Sequence, residues 1–156
     1  MDILNQTTLQ QCALFITGKA IMEIEIKLEN RVAELERLAS ILNDIGREWA
    51  LTPLFVNQLN LVLEEAVTNI MFYSYSDSSL HCITINIINH NDTIEICICD
   101  DGKPYNPTKK IDPDITLDAE KREVGGLGIF IIKKIMDRVT YTYENNQNKL
   151  TLIKRK

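Results

Sequence analysis

The spacing of apolar and polar residues divides the chain into elements. From Met22, MEIEIKL alternates apolar and charged positions, the period of a strand with one face in water. The period lengthens after Glu29-Asn30. Val32, Leu35, Leu38, Ala39, Leu42, Ile45 and Trp49 fall on one stripe of a helix, with Glu34, Glu36, Arg37 and Arg47 largely off it. Asn30 is the expected N-cap. Thr52-Pro53 opens a second helix with proline at its first position, and Leu59, Val62, Leu63, Ala66, Val67, Ile70 and Met71 supply its stripe. SYSDSS ends that helix as a loop. HCITINIINH and TIEICICD read as two strands joined in a hairpin through Asn89 to Asp92. Periodicity disappears from Lys103 to Val124, where Pro104, Pro107 and Pro113 interrupt the chain, and a stretch of this kind inside a compact domain is usually a functional loop. It returns in GGLGIFIIKKIMDRV, a helix with Ile129, Ile132, Ile135 and Met136 on one side. VTYTYENN and KLTLIKRK form a closing hairpin expected to turn at Asn145 to Asn148.

The order β-α-α-β-β-loop-α-β-β predicts an α+β fold, a two-layer α/β sandwich with helices on one face of a mixed, mostly antiparallel sheet. Residues 1–21 lack the pattern and are expected to be an N-terminal extension, leaving 22–156 as the domain. CALFI is apolar, but no Lys or Arg precedes it and no small-residue cleavage site clearly follows, so no secretory signal is expected.

Composition adds little to this picture. At 156 residues the chain suits one domain that buries roughly two-thirds of its unfolded surface. A net charge of −5 leaves no electrostatic footprint for nucleic acid or anionic lipid, and the basic end KRK reads as a solvated tail. No apolar run approaches the ~20 residues of a membrane span. Cys12, Cys82, Cys97 and Cys99 contain no CxxC pair, which excludes a zinc ribbon and a thioredoxin motif. Cys97 and Cys99 lie two apart in a strand and are expected to share a face as small buried hydrophobes, an arrangement suited to a reducing cytoplasm.

Candidate chemistry lies in three places. Glu65 and Asn69, four apart on the second helix, point to one side about a turn from each other. The carboxylate can take a proton or order a water and the carboxamide can ligate Mg²⁺, although such a pair is also a common solvated face. Asp100-x-Gly102 ends a strand: the carboxylate can accept from an adenine amino group, and Gly102 lets the backbone approach a flat base. The same residues are equally a turn signal. Gly125, Gly126 and Gly128 open the third helix, where exposed N–H groups and the helix N-terminus favour an anion. Glycines there cost up to ~1 kcal/mol each, which argues for a use. Neither GxxxxGK[ST] nor a GxGxxG after a strand is present. His81 and His90 sit near strand or hairpin ends and read as structural.

EEAVTN, DDGKPYNP and GGLGIFIIKKIMD, in this order, resemble the three nucleotide boxes of the gyrase–chaperone–histidine kinase–mismatch-repair (GHKL) ATPase superfamily. The compact form is similar to the anti-sigma factor serine/threonine kinases of bacterial partner-switching pathways. The resemblance covers about Met22 to Lys156 and implies a Bergerat ATP-binding fold with an ATP lid at about 103–124. It implies Glu65 as general base, Asn69 as Mg²⁺ ligand, Asp100 as the adenine-reading residue, and Gly102, Gly125, Gly126, Leu127 and Gly128 as further ATP contacts. The first glycine box commonly reads DxGxG, and Pro104 stands at its second glycine, as in the small kinase-like branch. No phosphoacceptor-histidine helix precedes the boxes, so a sensor histidine kinase is not expected. The implied activity is ATP- and Mg²⁺-dependent phosphorylation of a small anti-sigma factor antagonist domain by a cytoplasmic protein that also meets a sigma factor. The alternative is a non-catalytic ATP-binding switch that sequesters its partner. Family members commonly dimerise through the first helical region; the amphipathic helix at Arg31 to Trp49 suits a homodimer, and core packing explains its stripe equally well.

Overall fold

Alternation becomes strand wherever one side chain in two finds the helical layer. In the computed structural model, which describes residues 10–16, 19–110 and 127–156 with side chains from Met22 onward, β2 (Lys19–Glu29) buries Ile24, Ile26 and Leu28. β3 (Cys82–Asn89) and β4 (Thr93–Asp100) do the same with Ile83, Ile85, Ile87, Ile94, Ile96 and Ile98. β5 (Arg138–Glu144) and β6 (Gln147–Arg155) complete this face with Val139, Tyr141, Leu150 and Leu152. β1 (Gln10–Ile16) lies within the stretch expected to be an extension and pairs with β2 from Gln10↔Glu25 to Ile16↔Lys19. The sheet order is β1-β2-β3-β4-β6-β5, and where a mixed sheet was expected every described pairing is antiparallel.

Among the described residues, three α-helices cover the apolar face: α1 (Glu34–Glu48), α2 (Pro53–Tyr73) and α3 (Leu127–Ile135). α2 is the central one. Thr52 caps it by accepting from the Phe55 N–H at 3.2 Å, Pro53 occupies the first turn, and Leu59, Val62, Leu63, Ala66 and Val67 are buried. Full burial of each large apolar side chain contributes on the order of 1.5–3 kcal/mol, so the sequence has little freedom to rotate this helix. The α1 stripe also goes to the core, through Leu38, Ile41, Leu42, Ile45 and Trp49. Among the described residues, no helix is long and apolar enough to cross a membrane.

Local expectations failed at three points. Asn30 does not cap α1, whose N-cap is Ala33 with no side-chain hydrogen bond, and Val32 is exposed. Asn30 instead clamps the loop after α2: Nδ2 donates to the Ser79 carbonyl at 3.2 Å, and Oδ1 accepts from the His81 N–H at 3.0 Å. The final turn is tighter than expected. Asn145 and Asn146 adopt positive φ (53° and 60°), the backbone of a two-residue hairpin turn, and Asn148 belongs to β6. The basic end is also not a free tail. Arg155 pairs with Asp137 at 2.8 Å, and the Lys156 ammonium donates to the His90 carbonyl at 2.6 Å.

Candidate functional site

One flank of α2 meets α3, and its C-terminal end meets β4. Glu65 and Asn69 are half-buried on the first of these surfaces. Gly128, in the first turn of α3, sits so close that a Cβ built on it would land on the Glu65 carboxylate and lie 3.5 Å from Asn69 Nδ2. The glycine therefore admits the carboxylate as well as any phosphate. Leu127, beside it, is exposed. Gly125 and Gly126 lie outside the described residues.

At the other end, Ser74 closes α2, with its N–H donating to the Ile70 carbonyl. Its own carbonyl accepts from the Lys103 N–H at 2.8 Å, which fastens the turn after β4 to the helix. A Cβ on Gly102 would stand 2.7 Å from that carbonyl and 2.8 Å from Asp100 Oδ1, so only glycine fits without moving the backbone. Asp100 is buried, and its Oδ1 accepts from the Gly102 N–H and from Asn148 Nδ2, each at 2.9 Å. Burial raises the Asp100 carboxyl above the ordinary range, and the hydrogen bonds from Asn148 and Gly102 oppose that rise without cancelling it.

Asn148 is the residue that sequence reasoning missed. Besides Asp100, its Nδ2 donates to the carbonyls of Gly102 (3.2 Å) and Lys103 (3.1 Å). Its Oδ1 accepts from the Tyr105 N–H (3.2 Å) and the Tyr141 hydroxyl (2.6 Å). One carboxamide thus organises the whole Asp100–Tyr105 turn. The signal was masked by NNQN, whose composition reads as turn throughout.

The two histidines engage neighbouring acidic side chains at the ends of β3. His81 lies flat on Tyr75 with ring centroids 3.9 Å apart, and its ring nitrogens face Asp77 (2.9 Å) and Asp101 (3.3 Å). His90 meets Glu95 at 3.2 Å within the β3–β4 hairpin. Among the described residues, no group of three or more His, Cys, Asp and Glu side chains could cage a metal ion. Asn69 offers one oxygen, which suits a cation that arrives with phosphate ligands of its own.

The structure thus gathers Glu65, Asn69 and Gly128 at one point on α2, and Asp100 and Gly102 about one helical turn past Asn69. The histidine kinase-like ATPase domain family matches residues 28–154, and the chain belongs to it. Among curated proteins, it is 31% identical over 93 residues to the serine-protein kinase RsbW of Listeria monocytogenes, covering 57% of this chain and 59% of that protein. It is 27% identical over 136 residues to RsbW of Bacillus cereus, covering 85% of this chain and 82% of that one. The chain thus spans about three-fifths of the Listeria relative's length. Among solved structures, a histidine kinase domain from the Erythrobacter litoralis EL346 blue-light activated histidine kinase aligns with a TM-score of 0.47 at 14% identity, over 78% of this chain and 58% of that one.

Proposed function

We propose that the chain is an ATP-dependent serine/threonine protein kinase acting on a small anti-sigma factor antagonist domain in a partner-switching pathway. The observation that carries this reading is the geometry of α2. The nine steps from Glu65 to Ser74 rise about 13.5 Å along the helix axis, a span comparable with a nucleoside triphosphate lying along the flank. Its adenine end lies at Asp100 and Gly102, and its phosphate end lies at Asn69 and Gly128. Gly125, Gly126 and Leu127 are assigned to the phosphates from sequence.

Asp100 accepts the adenine amino group on the carboxylate oxygen not engaged by Gly102 and Asn148. A guanine carbonyl at that position offers no proton and is refused. Asn69 holds Mg²⁺, which supplies charge neutralisation on the phosphates when bound. Glu65 orients the acceptor hydroxyl of the antagonist and takes its proton as the oxygen bonds to the γ-phosphorus and the bond to ADP breaks. The RsbW relatives are named serine-protein kinases, which supports the same assignment. A reducing cytoplasm and a sigma factor as second partner belong to this proposal as well.

The test is incubation with γ-labelled ATP, Mg²⁺ and an antagonist domain encoded nearby. Label on an antagonist serine or threonine is the expected result. ATP binding with no transfer to any antagonist would instead support the non-catalytic switch.

A further inference from the structure

Cys97 and Cys99 are half-buried on the open face of the sheet, not buried with the core as their spacing suggested, because Ile96 and Ile98 take the inward positions. Their sulfurs stand 3.6 Å apart. Around them the open face is polar: Thr84 and Asn86 lie opposite on β3, and Lys149 and Thr151 on β6. Nothing in the kinase chemistry uses this pair. Alternate residues of a strand have α-carbons about 6.4–6.8 Å apart, the upper end of what a disulfide spans. Cys82 is exposed but diagonal to Cys99, because Thr84 is the residue paired with Cys99. Such diagonal positions are about 7–8 Å apart, beyond that span.

We propose that Cys97 and Cys99 are a redox-modification site, closing into a reversible intrachain disulfide that displaces Asp100. The Cys97 thiolate attacks a glutathione disulfide and releases one glutathione thiol. Cys99 then attacks the mixed disulfide, its sulfur bonds to that of Cys97, and the second glutathione leaves, so two cysteine thiols are oxidised and one glutathione disulfide is reduced. Burial, then the adjacent Cys97, pushes the Cys99 thiol up to about 11. The mixed disulfide removes the Cys97 charge from beside Cys99.

Closing the bond brings the sulfurs from 3.6 Å to about 2.0 Å and draws the two α-carbons toward the usual disulfide separation of about 5.5–6 Å. Asp100 is the next residue of β4 and faces Asn148 across the β4–β6 ladder, so contraction at Cys99 pulls on the contact that positions the carboxylate. A bond strained in this way is readily reduced, which suits a switch better than a staple. The consequence for nucleotide binding rests on the kinase reading; the bond and the displacement do not.

The experiment exposes the reduced full chain to oxidised glutathione at mildly alkaline pH, with peptide mass mapping and amide hydrogen exchange as readouts. The expected result is loss of two hydrogens within the peptide holding both cysteines and several-fold faster exchange over residues 99–103, both reversed by dithiothreitol. Cys99→Ser should abolish the exchange change and leave glutathione on Cys97. A stable mixed disulfide in the wild type, a cross-link through Cys82, or a Cys97–Cys99 bond without faster exchange would each overturn the proposal. Weaker ATP binding by the oxidised protein is the expected downstream effect. Reduced protein that binds no ATP would count against the kinase reading alone.

Discussion

Asn148 shows how much of this site rests on a single side chain. It satisfies four groups besides the Asp100 carboxylate, all of them in or beside the turn after β4. Replacing it with leucine strands the buried Asp100 and several backbone groups, and a buried polar group left unsatisfied costs about 1–3 kcal/mol. Asn148→Leu should therefore lower the urea midpoint and weaken ATP binding together, whereas a purely structural role would leave the affinity of the folded fraction unchanged. The residue was illegible in the sequence for a physical reason. An asparagine in a turn cluster and one buried in a strand are spelled alike, and only the pairing across to Asp100 tells them apart. Glu65, Asn69 and Asp100 were legible because their spacing or strand-end position already limits what they can face.

At the same scale, Gly128 separates the proposed chemistry from stability. A methyl group there meets the flexible end of Glu65, which can swing away, while alanine is the better helix former by up to ~1 kcal/mol. Gly128→Ala should hold or slightly raise the thermal midpoint and depress phosphoryl transfer, measured with labelled ATP and antagonist. Wild-type turnover in that variant would detach Glu65 from the chemistry.

Among elements, the helices were read well where their termini carry their own signals and poorly where a side chain is spent elsewhere. Thr52-Pro53 starts α2 as expected, because the cap bond is local. Asn30 failed as a cap because its carboxamide reaches Ser79 and His81, about fifty residues away in sequence, and no window along the chain reports that. The loop it anchors carries a pH response. The hydrogen bond that His81 donates to Asp77 is the foremost cause that raises the His81 pKa, and the same contact lowers the pKa of Asp77. A raised histidine contributes stability that is fully present below its unfolded pKa of about 6.5 and lost as pH rises through its folded value. The depressed carboxylate contributes stability present above its unfolded pKa of about 3.9 and lost as pH falls through its folded value. The thermal midpoint should therefore fall on the alkaline side of about pH 6.5, and His81→Gln should flatten that limb. An unchanged profile in the variant would show that the loop is held without the proton.

Helix packing makes a further test. Gly46 of α1 abuts Val56 of α2, and a Cβ there would stand 3.6 Å from Val56 Cβ with Cγ2 closer still. Both residues are buried, so Gly46→Ala over-packs the crossing and should cost about 1–3 kcal/mol by chemical denaturation. ATP affinity of the folded protein should stay unchanged, since the crossing lies at the end of α2 remote from Ser74.

For the molecule as a whole, the layered α+β architecture was readable because the change from period two to period 3.6 is written in the apolar residues themselves. The antiparallel order β1-β2-β3-β4-β6-β5 was not, since strand order depends on pairings between distant segments. What the fold achieves is to set the candidate site along one helix, with Glu65 and Asn69 on its flank and the Asp100–Gly102 turn fastened to its end through Ser74. Calorimetric titration of ATP and Mg²⁺ into wild type, Glu65→Gln and Asp100→Ala, each paired with a transfer assay on the antagonist, tests the proposed site most directly. The predicted result is near-wild-type affinity with no transfer for Glu65→Gln, and affinity lost by tenfold or more for Asp100→Ala, as expected when a ligand's buried polar partner is removed. Equal affinity in wild type and Asp100→Ala would contradict it.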